Sequence, residues 1–520
     1  MSVNSAENAT IEPRYATASV KEWVGLAVLA LPTLLLGLDI TILYLALPAL
    51  AEALQPSSTQ ALWIMDIYGF MIAGFLVTMG ALGDRIGRRK LLMIGAFFFA
   101  LASIVAAYAP NAELLIIARA LLGIAGATLM PSTLALISNL FQDARQRAFA
   151  IGIWATMFAL GMALGPVVGG VLLELYWWGS AFLVAVPIIF VLLCAAPIFL
   201  PEYKNPSRAN PDISSVFLSL LAILPIIYAF KELSRFGLSF SLIGYFGLGI
   251  IGLWLFIQQQ SRLSSPMLDL QLFSNKTFNV ALLVLLTGLV GVAGMMLIVT
   301  QYLQLIAGYS PVVAGLWMGP PALMMVLAGL VAPLLVRRFT PATVLAAALL
   351  LASFGCGLVA IADPAKLQVG LVVSGFSLIY FGLGALAALG TDLVVSSAPL
   401  EQAGSASAMS EMAQELGVAL GVALLGSLAL FVYQFTVLEQ VGASSTGVDM
   451  SVVQEGLWAV EAAADTLEND VQQAARFAFN QGMQVVAILS GVVFLTLAFL
   501  THTTLRQVGA KVSNQLCDQA

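Results

Sequence analysis

The chain has 520 residues, of which 60% are hydrophobic and 9% charged, with a formal net charge of −6. A soluble domain carries about 25% charged residues, so this apolar excess cannot be hidden in a water-soluble core. The small net charge carries no signal for nucleic acid, and the alternating ten-residue strands of an outer-membrane barrel are absent.

A membrane-crossing helix needs about 20 mostly apolar residues. Such runs are predicted at 24–47, 61–82, 91–109, 113–139, 148–173, 180–200, 213–232, 238–258, 277–305, 312–335, 342–362, 368–397, 404–434 and 481–504, fourteen in all. The chain therefore reads as an all-α polytopic membrane protein. Residues 1–23 are polar and lack the order of a signal peptide, so they are expected to form a cytoplasmic tail, with a second tail at 506–520. The loops support the count. Sixteen of the 21 Lys+Arg fall on the side of the N-terminus, among them Arg14, Arg208 and Arg337, and four on the other (Lys231, Arg235, Lys366 and Arg476). That split predicts both termini in the cytoplasm. The last base, Arg119, falls within a helix.

The first helix carries Asp39 in LLLGLDITILYLALP, and the second carries Asp66 near its outer part. An ionised Asp at the centre of a membrane helix costs roughly 2.5–3.5 kcal/mol. Each such acid is expected to face a cavity, pair with a base, or hold a proton. The turn after the second helix reads GALGDRIGRRK. Gly80, Gly83 and Gly87 permit a tight turn, Asp84 can pair with a neighbouring base or cap the next helix, and Arg85, Arg88 and Arg89 anchor the loop. A weak echo, VAPLLVRRFTPATVL, follows the tenth helix and ends in Arg337-Arg338. This suggests two six-helix halves, 24–200 and 263–505, flanking an inserted pair at 201–262, as in transporters built from repeats.

In the fifth helix, GMALGPVVGG places Gly161, Gly165, Gly169 and Gly170 on what reads as one small-residue face, with Pro166 able to bend the helix. Asp392 lies near the inner end of the twelfth helix. Glu411 and Glu415 lie in the thirteenth, in SASAMSEMAQELGVALG, four apart and therefore on one face. Like charges that close in apolar surroundings disfavour double ionisation. The long outer loop, 435–480, carries seven acids (Glu439, Asp449, Glu455, Glu461, Asp465, Glu468, Asp470) and one base. It reads as a solvated acidic loop or as an amphipathic hairpin at the outer mouth.

Three of these stretches carry a family resemblance. GALGDRIGRRK resembles the cytoplasmic-loop signature of the major facilitator superfamily, which latches the two halves in one conformation. LLIIARALLGIAGA, around Arg119, resembles the fourth-helix motif of its proton-coupled antiporters, and GMALGPVVGG the fifth-helix motif associated with export. LDITILYLALP with LWIMDIYGFMIAGF is similar to the first two helices of the fourteen-helix drug:proton antiporters, nearest to quaternary-ammonium efflux pumps of the QacA and SmvA kind. One departure is that Gly179 and Ala185 stand where the family has Arg and Asn in the turn that includes Trp178, Phe182 and Pro187. The resemblance is dense over the first 200 residues and mainly architectural beyond them.

What the resemblance implies is a major facilitator fold in a bacterial plasma membrane, acting as a monomer without cofactor or metal. Its partners would be protons, lipophilic cationic small molecules and the lipid bilayer. The expected activity is proton-coupled export of quaternary ammonium antiseptics, biguanides and cationic dyes. Asp39, Asp66, Glu411, Glu415 and Arg119 are the proton-coupling candidates. Cargo contacts are expected from the four acids together with Asp392, Tyr44, Trp63, Tyr68, Trp154, Phe158, Tyr302 and Trp317, since an aromatic face attracts a cation. Plainer roles stand beside these: an acid at a kink, at the headgroup level or in an interhelical hydrogen bond, a structural Arg, and aromatics that only pack.

Five intramembrane acids against one base favour a cationic cargo over an anionic or zwitterionic metabolite or siderophore. A membrane enzyme is disfavoured by a single histidine, His502, and by the lack of H-E-x-x-H, G-x-S-x-G or C-x-x-C. No lysine follows a glycine, so there is no Walker A loop. The three cysteines, Cys194, Cys356 and Cys517, are scattered and suggest no disulfide framework.

Overall fold

The computed structural model describes residues 18–204, 212–236, 240–263, 266, 270–336, 338–363, 367–399, 402–441, 450–464 and 467–517. Arg14, Arg208, Arg337, Lys366, Asp449 and Asp465, together with most of the 1–23 tail, lie outside the described residues. So do the side chains of Arg235, Arg506 and Lys511.

Among the described residues, fourteen helices are long and apolar enough to cross a membrane. The first six are α1 (Val20–Leu54), α2 (Ser58–Ile86), α3 (Arg88–Ala107), α4 (Ala112–Leu140), α5 (Ala144–Leu175) and α6 (Ser180–Phe199). The next two, α7 (Ile213–Phe236) and α8 (Phe240–Arg262), pack on each other. The last six are α9 (Lys276–Ile306), α10 (Pro311–Leu335), α11 (Pro341–Ala360), α12 (Val369–Ser396), α13 (Ser405–Val441) and α14 (Asn469–Cys517). Polar caps set several starts. Ser19 and Glu22 form a capping box on α1, Ser57 and Gln60 another on α2, and Asn111 caps α4.

The two six-helix halves repeat one packing plan. α1 packs on α5, α2 on α4, and α3 on α4; in the same way α9 packs on α13, α10 on α12, and α11 on α12. The halves meet reciprocally, α5 on α10 and α2 on α13, with α1 against α9 between them. This is the arrangement a two-fold repeat produces, and it bears out the fold read from the sequence.

Because the number of such helices among the described residues is even, the start of α1 and the end of the α14 span lie on one face. The opposite face carries the connection between α13 and α14. That connection is shorter than the expected 435–480 loop, because α13 runs to Val441 and α14 starts at Asn469. Between them, the short helices Met450–Glu455 and Leu457–Ala462 bury Val453, Leu457 and Val460 against Tyr433, Val437, Val471 and Ala475. It is a packed hairpin. It also reaches the first half, where the Ser58 amide at the start of α2 donates to Glu455 Oε2 at 2.6 Å.

Close backbone approach at glycine holds the halves internally and to each other. A Cβ on Gly37 would meet the Phe158 carbonyl oxygen, and one on Gly161 the Leu34 carbonyl oxygen, so α1 and α5 touch backbone to backbone. Gly165 lies against Thr41 and Gly169 against Ile42 on the same crossing. Gly170 does not share that face. It lies under the Pro311 carbonyl, while Gly315 lies under the Pro166 carbonyl, so α5 is held between α1 on one side and α10 on the other. Ser310 Oγ donates to Glu174 at 2.9 Å beside this contact, and Gln304 Nε2 donates to the Leu45 carbonyl at 3.2 Å. These contacts between halves all lie toward the hairpin face.

Gly161→Val should therefore cost about 1–3 kcal/mol by overpacking. The expected readout is a lower Tm and less monodisperse protein in detergent. Gly152→Ala on the same helix, where a Cβ meets nothing within 4 Å, should leave both unchanged.

Candidate functional site

Arg119 is held on several sides at once. It sits on α4, 2% exposed, and its Nη1 donates to Asp39 Oδ2 on α1 at 2.9 Å. Its Nε donates to the Ile64 carbonyl on α2 at 3.1 Å. Its guanidinium carbon lies 4.4 Å from the centre of the Tyr68 ring and 6.0 Å from that of Phe182. One guanidinium thus ties α1, α2, α4 and α6 together. The Gly37–Gly161 crossing, two residues before Asp39, brings α1 close to α5. Gly123, under the Tyr68 carbonyl, does the same for α2 and α4.

Asp66 is also paired, with a partner that the sequence reading misplaced. The sequence reading places Lys231 with the outer-loop bases. In the structure it lies within α7 and is fully buried, its Nζ 2.7 Å from Asp66 Oδ2 and 2.9 Å from Oδ1, with both side chains at 0% exposure. The same ammonium is 3.6 Å from the centre of the Trp63 ring. The expected ratio of five intramembrane acids to one base therefore becomes five to two. Tyr68 and Trp63, both expected to stack a cargo cation, lie against the protein's own cations in this structure.

Glu411 and Glu415 stand differently. They lie four apart on α13, opposite α2, with Glu415 8% exposed and Glu411 half-buried. Among the described residues, neither glutamate makes an ion pair or a side-chain hydrogen bond. A small cavity of about 20 Å³ joins Glu415 to Asp66, Arg119, Tyr44 and Tyr68. That is room for about one water, so in this conformation the site is closed around its charges. The Tyr68 hydroxyl is buried there without a hydrogen-bond partner.

The other expected contacts lie elsewhere. Trp154 on α5 donates its indole N–H to Thr133 Oγ1 at 3.0 Å, and Phe158 is partly buried beside the α1–α5 crossing. Tyr302 and Trp317 belong to the hairpin-face end. Tyr302 accepts from the Gln368 amide at 3.3 Å, and Trp317 stacks on Tyr309 with ring centres 6.3 Å apart. Asp392 is exposed. The structure brings Asp39, Asp66, Arg119, Glu415, Tyr44 and Tyr68 to one place and sets Trp154, Tyr302, Trp317 and Asp392 apart from that cavity. Among the described residues, no three His, Cys, Asp or Glu side chains gather as a metal site.

The glycine-rich turn between α2 and α3 is built as its motif suggests. Asp84 pairs with Arg88, Nη2 to Oδ1 at 2.6 Å, and Arg88 Nη1 reaches the Pro131 carbonyl on α4 at 3.2 Å. Arg85 is exposed, and Arg89 Nη1 donates to the Leu200 carbonyl at 2.9 Å. Gly87 has φ 115°, where a side chain is strained, and a Cβ there would strike the Glu202 carboxylate. Glu202 accepts from the Arg89 and Lys90 amides at 3.0 and 3.1 Å, satisfying the free N–H groups at the start of α3. Sequence reasoning missed this acid, although it follows directly on the sixth apolar run. The departure at Gly179 also has a cause, because the backbone there lies against the Ala107 carbonyl and leaves no room for an arginine.

The sequence pattern described as Major Facilitator Superfamily matches residues 29–422. The chain belongs to the major facilitator superfamily. This superfamily member is a membrane transporter and not an enzyme. It is 40% identical over 499 residues to "Multidrug efflux pump LfrA" of Mycolicibacterium smegmatis, covering 95% of this chain and 98% of that one. It is 32% identical over 488 residues to "Methyl viologen resistance protein SmvA" of Salmonella typhimurium, covering 92% and 97%. Among solved structures, a bacterial homolog of the human lysosomal transporter Spinster, inward-facing and unoccupied, shares the fold with a TM-score of 0.66 and 15% identity. That likeness covers 94% of this chain and 98% of the other.

The Asp39–Arg119 pair gives the transporter a direct test. Removing one partner of a buried pair costs about 3–5 kcal/mol, because the other is left uncompensated. Arg119→Gln should lower thermal stability by that order, and adding Asp39→Asn should restore part of it. Strictly additive losses in the double-mutant cycle would show that the two side chains do not depend on each other.

Proposed function

We propose that this transporter exports lipophilic organic cations across the bacterial plasma membrane in exchange for protons. The observation that carries the reading is the charge count at the centre. Asp39 and Asp66 are each matched by one base, while Glu411 and Glu415 on the facing helix are not matched. With Glu411, one turn along α13 from Glu415, the acids here outnumber the bases by two. An acid surplus in a low-dielectric place takes up either protons or a cation, and one can displace the other. The relatives support the class of cargo: one is called a multidrug efflux pump, and another is named for methyl viologen, an organic dication. An anionic or zwitterionic cargo finds no base free of an acid among the residues around the cavity.

The positive-inside bias sets the terminus face in the cytoplasm. The Lys231 correction does not disturb it, since that base leaves the outer loops. The halves 24–200 and 263–505 then rock about the central site, with the hairpin face as the outer gate. A lipophilic cation enters from the cytoplasmic side and displaces protons from Glu411 and Glu415. The loaded monomer turns outward, and outside protons reload the acids and expel the cargo. One proton for one monovalent cation is electroneutral and uses only the pH gradient. A second proton adds about 2.3 kcal/mol per 100 mV.

Ethidium added to purified protein in weakly buffered detergent should release protons, read with a pH indicator. Glu415→Gln should bind the dye and release fewer. Binding without any proton release in the wild type would sink proton exchange, and no binding would sink the cargo class. In proteoliposomes, a voltage imposed at fixed pH should change the efflux rate only if more than one proton moves per monovalent cation.

A further inference from the structure

Lys231 stands where a bound organic cation would stand. Its ammonium has the Asp66 carboxylate on one side, at 2.7 and 2.9 Å, and the face of Trp63 on another, at 3.6 Å. A carboxylate and an indole face around one ammonium is the chemistry by which proteins recognise organic ammonium ligands. Here the ligand belongs to the chain. It is delivered by the inserted pair and by neither half, since α7 packs on α2 of the first half and on α13 of the second. Trp63 also packs near Ile227 and Leu224 of α7 and Leu416 and Leu420 of α13, so the box lies at the seam of all three parts. Asp66 opens at the same time onto the central cavity beside Glu415 and Arg119.

We propose that Trp63 and Asp66 form a binding site for a monovalent organic cation, and that Lys231 is a tethered competitor which fills the site when cargo is absent. This rests on the reading of the protein as a cation exporter. A buried Asp66 without a partner would be costly, and a tethered ammonium prevents that state. A lysine suits the task. It presents a point charge on a flexible four-carbon stem, so the ammonium can leave while α7 stays in place. The exchange replaces one positive charge on Asp66 by another, and the displaced ammonium, still tethered, must then pair with a second acid or give up its proton. It also limits affinity, because a competitor that fills the site nine-tenths of the time weakens apparent binding about tenfold. Release is helped in turn, since the returning ammonium is always at hand at high effective concentration.

The test compares wild type, Lys231→Met and Lys231→Arg as full-length protein in detergent, with tetraphenylphosphonium as the probe. Lys231→Met keeps the bulk of the stem and removes the competitor, so Kd should fall about tenfold. Lys231→Arg places a planar fork on both Asp66 oxygens, a harder competitor to displace, so Kd should rise. In proteoliposomes, Lys231→Met should lower both KM and kcat for efflux of the probe, because cargo held more tightly leaves more slowly. Opposite shifts in the two variants are the signature. Equal Kd values, or weaker binding in both at wild-type Tm, would show Lys231 to be structural. If Lys231→Met does not fold, Lys231→Arg decides alone, and an unchanged or lower Kd overturns the competitor. If wild type and variants all fail to bind the probe, the cation-export reading falls and this site with it. Binding that is equal in all three overturns the competitor only.

Discussion

A charge inside hydrocarbon must be answered by the protein, because lipid cannot answer it. Two such answers organise this molecule. Arg119 on Asp39 draws four helices of the first half onto one guanidinium. Lys231 on Asp66 fastens the inserted pair to the first half, and the same helix also leans on the second. Each pair is poor evidence for stability in itself, since desolvation can cancel the attraction. What the pairs supply is position: they fix which faces of α1, α2, α4 and α7 look inward.

The pairs need helices that come unusually near one another, and glycine allows that. At Gly37 and Gly161 two backbones touch, and Gly123 lets α4 lie under the Tyr68 carbonyl. With the hydrophobic effect of no help between helices in lipid, such close packing is the main source of adhesion. The same device recurs between the halves, at Gly170 and Gly315, where the contact must break if the molecule opens on that face. The interdomain seam is made of small surfaces in van der Waals contact with a few hydrogen bonds, and this suits a joint that closes and opens repeatedly.

Most of the architecture was legible because membrane crossing is a requirement on length and composition alone. Fourteen spans, their repeat, and the glycine-rich turn follow from patterns within about thirty residues. Asp39, Asp66, Arg119 and Glu415 were legible because an ionisable residue in an apolar run stands out. Lys231 was not, for a physical reason. It falls in AFKELSRF, where the apolar run is already ending and a base, an acid and another base follow within five positions. Nothing local distinguishes the one that turns inward, and its partner lies 165 positions away. Glu202 was missed in the same way, since its value comes from the free amides of a helix more than a hundred positions earlier. The face of Gly170 depended on which helix lies behind α5, and that is set by the meeting of the halves.

The inserted pair is often the part of such a chain that looks dispensable, being added between two complete halves. Here its lysine is the counter-charge of an acid in the second helix. A descendant that lost residues of the pair would keep Asp66 buried with no base against it, and one that lost Asp66 first would strand Lys231 instead. Neither step is tolerable alone, while the two together are nearly neutral in charge. The inserted pair and the acid of the second helix are thus bound to each other by charge, and neither can be removed alone without burying an unmatched charge.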